Sequence, residues 1–374
     1  MFKKLHYKVR GLPTPLAGLA LGIASLGWCL ENALPLAGWG QTTGAVIGLV
    51  MIGFLVLRFT AHHDTLWADL KHPVVGSIVP TFAMCLMVVS KTAGHWMPEA
   101  GVVLWCAAVL LHLAALGIFV VNRLQEPRLE LMVPSWFVPP IGIVVADVTF
   151  PEVAVLLPFA KILFWMGAAA YAVLLPLMIY RLFFLPEVPN GAKPTIAILA
   201  APASLLLAGY LTVEKDPSLL LVALLFGIAI LMTVVIYFAF WRLLRLQFSP
   251  GYAAFTFPMA IGATALYKLS NLVAGFPGRP SLRAPDPLPR PRRSDGRRRG
   301  DPLCGSPLRE EPPRHAPEVP RRSLSLQASR PAQTLNQTAS RFIRQGAVFH
   351  CSLHLIPRTT FGKRRCRSHK VAHG

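Results

Sequence analysis

Nine apolar segments dominate this chain and restrict what it can fold into. A segment of about 20 residues crosses the roughly 30 Å hydrocarbon layer of a bilayer as one α-helix. Because lipid offers the backbone no hydrogen-bond partner, such segments cross as helices. The sequence predicts an all-α polytopic membrane protein with spans near residues 13–30, 38–59, 73–91, 98–122, 131–149, 154–184, 194–213, 217–241 and 251–270.

The composition agrees with a membrane protein and excludes an ordinary soluble domain. Hydrophobic residues make up 54% of the chain and charged residues 14%, whereas soluble domains carry about 25% charged residues. The net charge of +20 is concentrated in residues 277–374, which hold 21 of the 37 Lys and Arg residues and 6 of the 17 acidic residues. The charge therefore does not indicate a nucleic-acid-binding protein.

The basic residues that flank the spans are divided unevenly between the two sides of the membrane. Cytoplasmic loops are enriched in Lys and Arg, so the distribution predicts a cytoplasmic N-terminus, with residues 1–12 as a cytoplasmic lead. The cytoplasmic set is Lys3, Lys4, Lys8, Arg10, Arg58, Lys71, Arg123, Arg128, Arg181, Lys193, Arg242 and Arg245, and the outer set is Lys91, Lys161, Lys215 and Lys268.

The odd-numbered spans differ from the even-numbered ones. Each odd span has proline and small residues, whereas the even spans are bulkier, with Pro176 in span six as the exception. Residues 219–241 predict a helix that faces lipid on all sides. Proline frees a backbone carbonyl, which is tolerated where the backbone packs in protein or lines a water-filled path. This hairpin repeat predicts an inner ring of odd helices, with kink or pore-lining residues Pro15, Pro80, Pro140, Pro202, Pro258, Gly18, Gly76, Gly142 and Gly262.

The ninth span carries this pattern most clearly. Its run Phe255-Thr256-Phe257-Pro258-Met259 combines an aromatic pair with a proline, where a membrane helix is expected to be smooth. We interpret the run as part of a pore-lining helix. The alternative is a proline-kinked helix that packs among its neighbours, since Gly and Pro are common in membrane helices.

Short motifs in a fixed order connect these spans to a known family. They are Pro15-x-x-Gly18 with Leu19 and Ala20, Trp28-x-Leu30-Glu31-Asn32, His72-Pro73, Pro139-Pro140-x-Gly142, Ala201-Pro202-Ala203 with Tyr210, and Phe255-Thr256-Phe257-Pro258-Met259. Over residues 11–275 their order and spacing resemble the tellurite-resistance/dicarboxylate transporter family, which includes the plant slow anion channels.

The resemblance implies ten helices in five hairpins, around a quasi-five-fold pore lined by the odd helices. It also implies a phenylalanine that plugs the pore from helix nine, which the motif places at Phe257, with Phe255 as the second candidate. The implied assembly is a homotrimer with one pore per subunit, and the implied location is a bacterial inner membrane.

The chain departs from the family after Gly275, where a tenth helix is expected. Residues 276–374 contain 14 prolines and nineteen arginines but no apolar span, a composition that predicts disorder. We interpret this tail as the product of a shifted reading frame or a damaged gene end. The alternative is a genuine basic tail that binds anionic lipid or nucleic acid.

Two transport functions remain open from the sequence. The first is a channel-like passage for small anions, linked to tellurite resistance and closed by an aromatic ring that blocks and dewets the pore. The alternative is a secondary carrier of C4-dicarboxylates or sulfite with a coupling ion. No inner span has an ionisable residue at its centre, since Asp147 and Lys268 lie near span ends, and this favours a passive channel. A sensor or scaffold that transports nothing is a third hypothesis.

No pattern predicts an enzyme, a catalytic group, a cofactor or a metal site. Adjacent His62 and His63 lack the spacing that places two ligands on one helix face, so we expect a solvated loop there. His112, alone in the fourth span, is expected to bond to a neighbouring group. The expected partners are small anions and the lipid bilayer.

Overall fold

The computed structural model describes residues 10–275, and within that range the regular elements are all helices. Residues 1–9 and the tail 276–374 lie outside the described part of the chain. The α-helices are α1 (Leu16–Ala33), α2 (Trp39–Ala61), α3 (His63–Lys71), α4 (Val75–Ile78), α5 (Thr81–Trp96), α6 (Pro98–Gln125), α7 (Val138–Ile141), α8 (Val145–Val148), α9 (Leu157–Phe184), α10 (Ala201–Val213), α11 (Leu219–Leu243) and α12 (Thr256–Ala274).

Seven helical segments of the described part are long and apolar enough to cross a membrane, and they coincide with predicted spans one to four and six to eight. This confirms an all-α polytopic membrane protein. The fifth predicted span is a shorter apolar segment, Pro134–Val148, in which α7 and α8 alternate with 3-10 turns. The ninth is α12, preceded by the 3-10 helix Pro250–Phe255.

Five segments pack towards the interior, and we call them the inner segments. They are α1, α4 with α5, Pro134–Val148, Lys193–Val213, and residues 250–274. The outer helices α2, α6, α9 and α11 are mostly exposed. In the inner segment Lys193–Val213, 83% of an 18-residue window is buried. In the outer helix Leu219–Leu243 the buried share of such a window is 22%. The apolar surface left exposed on the outer helices is the surface that lipid covers.

Helix α11 is not lipid-facing on all sides, contrary to the sequence prediction. A stripe of side chains along it is buried, at Val222, Leu225, Ala229, Ile236 and Leu243. The spacing follows one helix face, and that face packs against α10 and the 3-10 helix Lys193–Ala200. The sequence could not indicate this buried stripe, because α11 is apolar on every face of the helix.

Glycines let the two helices of a hairpin approach closely. A Cβ atom on Gly27 of α1 would lie 2.5 Å from the carbonyl oxygen of Gly40 and 2.9 Å from the Cα of Gly44, both on α2. A Cβ on Gly101 of α6 would lie 2.7 Å from the backbone nitrogen of Gly94. The first two hairpins therefore pack backbone against backbone, as small residues allow in membranes.

The carboxylate of Glu31 holds the first hairpin at the turn between α1 and α2. It accepts hydrogen bonds from the N–H groups of Gly38, at 2.7 Å, and Gly40, at 3.0 Å. These are donors at the start of α2, which have no partner within the helix, and the negative charge also suits the helix N-terminus.

Each of the first three hairpins is closed by an arginine at the end of its outer helix. Arg58 of α2 pairs with Asp69 at 3.0 Å and donates to the Thr14 hydroxyl at 2.7 Å. Arg123 of α6 donates to the Lys71 carbonyl at 2.7 Å. Arg181 of α9 donates to the carbonyls of Pro186, at 2.6 Å, and Glu130, at 3.1 Å.

Thr14, Lys71 and Glu130 each lie just before the inner segment of the same hairpin, so these arginines join the two ends of each repeat unit. They also lie on the side that the charge distribution predicts to be cytoplasmic. The repeat is therefore present in side-chain contacts as well as in the helix order.

We expect Arg181→Ala to destabilise the protein by about 3 kcal/mol, because it leaves two carbonyls without charged donors. Arg181 is 2% exposed, so water cannot replace it. The matched control is Arg128→Ala, since Arg128 has a side chain 66% exposed and its loss is expected to cost less than about 0.5 kcal/mol. Thermal unfolding of the purified protein in detergent measures both, and equal losses would contradict this role of Arg181.

Candidate functional site

The inner segments enclose a cavity of about 60 Å³. Each inner segment contributes residues to its wall, which is formed by Pro15, Gly18, Leu21, Ile78, Thr81, Met84, Phe137, Val138, Ile141, Gly142, Ile198, Ala201, Pro202, Leu205, Gly251, Ala253, Ala254, Phe257 and Pro258. The segments also contact one another in a closed cycle, α1 to α5, α5 to α8, α8 to α10, α10 to α12, and α12 back to α1.

The wall of the cavity is apolar. Thr81 has the one polar side chain among the lining residues, and its hydroxyl donates to the Ile78 carbonyl at 2.7 Å. None of the ionisable side chains in residues 10–275 lines the cavity. The volume suffices for a few water molecules, but a narrow apolar passage of this kind favours dewetting.

The backbone changes from irregular or 3-10 structure to regular α-helix beside the cavity. α5 begins at Thr81 after the break at Pro80, α10 begins at Ala201 after the 3-10 helix Lys193–Ala200, and α12 begins at Thr256. The start of an α-helix carries partial positive charge. At α10 and α12 the first N–H groups, of Ala201 and Thr256, already bond to the Ile198 and Ala253 carbonyls of the preceding 3-10 helices, so any field from these helices at the cavity is weak.

Phe257 and Phe255 lie in different surroundings. Phe257 is half-buried and forms part of the cavity wall. Phe255 packs against the rings of Phe240, with centroids 5.1 Å apart, and Tyr252, at 5.2 Å. The aromatic cluster holds Phe255 against the outer helix α11, and Phe255 is not among the lining residues of the cavity.

The position of Phe257 is constrained from α1. A Cβ atom on Gly22 would overlap the side chain of Thr256 and lie 3.1 Å from the backbone nitrogen of Phe257. The Thr256 hydroxyl in turn donates to the Ala253 carbonyl at 2.8 Å. The close approach of α1 to the first turn of α12 therefore fixes the backbone that carries Phe257.

The other residues predicted to line or kink the path divide into three groups. Pro15, Pro202, Pro258, Gly18 and Gly142 form part of the cavity wall. Pro80 and Pro140 each precede a lining residue but do not line the cavity themselves. Gly76 packs against the carbonyl of Leu70, and Gly262 lines a second cavity of about 150 Å³ between α10, α11 and α12.

Several lining side chains were not among the predicted site residues, notably Thr81, Met84, Phe137 and Ile141. Within α5, Thr81 and Met84 lie one helical turn apart on the same face. The one-turn spacing of Thr81 and Met84 indicates a common face, but the sequence alone does not show which face of α5 turns towards the cavity.

His112 and the histidine pair lie outside the cavity wall. His112 donates from Nε2 to the Pro139 carbonyl at 2.8 Å, in agreement with the expected bond to a neighbour. His63 begins the helix α3, where a loop was expected. Among residues 10–275, no cluster of three or more His, Cys, Asp or Glu residues could hold a metal ion.

Comparison with known proteins identifies the family. The sequence model described as "Voltage-dependent anion channel" (SLAC1) matches residues 15–278. The chain belongs to this family. The resemblance drawn from the sequence motifs is thereby confirmed, and the protein is a multi-pass membrane protein that belongs to a family of transporters and channels.

Three relatives support the assignment. Two are described as uncharacterized transporters of Methanocaldococcus jannaschii, 26% identical over 54% of this chain and 66% of the relative, and 23% identical over 57% and 69%. The third is described as a tellurite resistance protein TehA homolog of Haemophilus influenzae, 25% identical over 71% of this chain and 84% of the relative. The chain thus spans about two thirds of the length of the archaeal relatives.

Proposed function

We propose that this protein passes small anions, such as chloride, nitrate or monovalent oxyanions, through a pore along the axis of the five inner segments. In this proposal Phe257 closes the pore. The observation that carries the proposal is the cavity whose wall draws on every inner segment and includes Phe257. An aromatic ring in an apolar constriction can stop ions by steric block and dewetting.

The preference for anions follows from weak and distributed sources. The α-helices α5, α10 and α12 begin beside the cavity, and the aligned peptide dipoles of such helices favour an anion at that end. Because no charged side chain lines the cavity, an anion is held weakly and can leave quickly, as conduction requires. The family to which the chain belongs agrees with transport of anions.

The test of this function is the current through the purified full chain carrying Phe257→Ala, reconstituted in planar bilayers under a chloride gradient. A channel gives a current that reverses at the chloride equilibrium potential, which is the expected result. A coupled carrier gives saturable uptake that depends on pH. The absence of both would leave the sensor or scaffold hypothesis and contradict the proposal.

One observation favours the carrier as the second candidate. Asp147, in α8, is fully buried, and both its carboxylate oxygens lack a hydrogen-bond partner among the described residues. Its Cβ lies close to Gly209 of α10. A buried carboxylate in a membrane span is a common element of proton-coupled transport. A carrier for C4-dicarboxylates or sulfite could use Asp147 to bind the coupling proton.

We expect Asp147→Asn to leave the anion current and its pH dependence unchanged, because Asp147 lies off the cavity wall. The measurement is chloride or nitrate flux into liposomes at several pH values, with and without a proton gradient. If Asp147→Asn abolished pH-dependent uptake while the protein remained folded, the carrier would replace the channel as the proposed function.

We also propose that the chain assembles as a homotrimer in a bacterial inner membrane with its N-terminus in the cytoplasm. The supporting observations are the family membership and the positions of Arg58, Arg123 and Arg181 at the predicted cytoplasmic ends of three hairpins. A contribution to tellurite resistance is proposed from the description of the Haemophilus influenzae relative. Chemical crosslinking in native membranes tests the assembly.

A further inference from the structure

Two lysines occur beyond the cavity on the faces of the helices that line it. Lys91 follows the lining residue Met84 by seven residues on α5, which is two turns, or about 10 Å along the helix. Lys268 follows Phe257 by eleven residues on α12, which is three turns, or about 16 Å. Positions seven and eleven apart share one helix face. Both ammonium groups therefore lie towards the same end of the inner ring, the end predicted to be outside.

The two lysines belong to one electrostatic cluster. Nζ of Lys91 donates to the Phe150 carbonyl at 3.0 Å and pairs with Glu152 at 3.0 Å. Lys268 interacts electrostatically with both Lys91 and Glu152. Its Nζ lies 5.9 Å from the ring centroid of Trp28, which follows the lining residue Leu21 by seven residues on α1. Three inner segments thus bring a ring and two cations to one end of the path.

The charges in this cluster do not balance. Lys91 has Glu152 as its counter-ion, but no carboxylate lies within ion-pair distance of Lys268 in the part of the chain that the structure describes. An aromatic face stabilises a cation only modestly. The cluster therefore keeps an excess positive charge close to the path, and an anion between the two ammonium groups would offset it.

The Glu152 carboxylate can leave its ion pair with Lys91. Its side chain is 80% exposed, and exposed ion pairs of this kind contribute little to stability. Its backbone has φ 63°, a left-handed conformation that is uncommon for a residue other than glycine. Backbone of this kind is maintained where the surrounding structure requires it, and here it directs the carboxylate towards Lys91.

We propose that Lys91 and Lys268 form an anion-binding site at the outer end of the path, and that Glu152 is a displaceable counter-ion that competes with the entering anion for Lys91. The ligand class is a small monovalent anion such as chloride, iodide or nitrate. This inference rests on the proposed function, because the site supplies anions to the pore that Phe257 closes. Glu152 would lower the occupancy of the site and so reduce flux when anions are scarce.

The experiment measures single-channel conductance of the full chain in the Phe257→Ala background, at low and at high chloride. We expect Glu152→Gln to raise conductance about two- to fivefold at low chloride, because it removes a negative charge from the path. Lys268→Met is expected to lower conductance by a similar factor. Both effects should vanish near 1 M salt, where the Debye length is only about 3 Å.

A second ion pair on the outer side serves as a matched control. Lys161 of α9 pairs with Glu214 at 2.8 Å and lies away from the cavity wall. The hydrogen bond from Lys161 lowers the pKa of the Glu214 carboxyl. Glu214→Gln is expected to leave the conductance unchanged at every chloride concentration.

A readout that needs no current separates this inference from the proposed function. Iodide bound beside Lys268 is expected to quench the fluorescence of Trp28, measured as the difference between the chain and its Trp28→Phe variant, and Lys268→Met should weaken that quenching. Quenching without any current would support the site and contradict the proposed function. A current in Phe257→Ala that Glu152→Gln and Lys268→Met leave unchanged, with quenching also unchanged, would overturn the site. Glu152→Gln that only lowers thermal stability would assign it a structural role and overturn the site as well.

Discussion

Replacing Phe257 by alanine is expected to open the path and raise anion conductance by about two orders of magnitude, which corresponds to a barrier lower by about 3 kcal/mol. The side chain forms part of the wall of a cavity that is otherwise lined by aliphatic residues, glycine, proline, Thr81, Met84 and a second ring, Phe137. Removing the ring widens the passage and lowers the cost of wetting it. Single-channel recording of the purified variant in planar bilayers measures the change.

Phe255→Ala is the control, because Phe255 lies two residues before Phe257 in the same sequence run but packs against Phe240 and Tyr252. Its loss should leave the conductance near that of the unchanged chain and lower the stability, since it removes ring contacts. A large current in Phe255→Ala together with none in Phe257→Ala would show that Phe255 closes the pore and would contradict the role of Phe257.

Gly22→Ala is expected to produce a leak current while Phe257 is still present. The added methyl would overlap Thr256 and lie 3.1 Å from the Phe257 nitrogen, so the start of α12 must move away from α1. Overpacking of this kind costs about 1–3 kcal/mol, and the displaced backbone withdraws the Phe257 ring from the opposite wall. Bilayer recording measures the leak, and thermal unfolding in detergent measures the loss of stability.

Two further variants separate this effect from a general loss of folding. Gly53→Ala on α2 adds the same methyl where no atom lies within 4 Å, and it should change neither property. Thr256→Gly in the Gly22→Ala background removes the overlapping side chain and should restore closure. If Gly22→Ala behaved like Gly53→Ala, the contact between α1 and α12 would have no part in positioning Phe257.

The sequence predicted the helical class and the positions of seven spans, one to four and six to eight, because apolar length is a local property. It also predicted that odd and even spans differ, since proline and small residues are favoured where backbones pack closely or line a path. Which face of each inner helix turns towards the cavity was harder to predict from the sequence. Thr81 lines the cavity but Pro80 does not, because consecutive residues of a helix point about 100° apart and the sequence does not show which face turns inwards.

Features that depend on distant contacts escaped the sequence altogether. In the sequence, three arginines served only as indicators of membrane orientation, namely Arg58, Arg123 and Arg181. The structure shows that they bond to Thr14, Lys71 and Glu130, which are 44, 52 and 51 residues away. The burial of Asp147 was hidden in the same way. The residue lies near the end of its span in sequence, but the broken fifth segment packs it against α10.

The account depends most on the claim that the five inner segments face one shared path, and cysteine accessibility measures this directly. Cysteine would be introduced one position at a time at Thr81, Ile141, Ala201 and Ala254, in the Phe257→Ala background with all six native cysteines replaced by alanine. Leu231, which is 57% exposed on the outer helix α11, is the control position. We expect a negatively charged thiol reagent to block the anion current at each of the four lining positions and to have no effect at Leu231. A current that persists after modification of the lining positions, or a block at Leu231, would contradict a common pore.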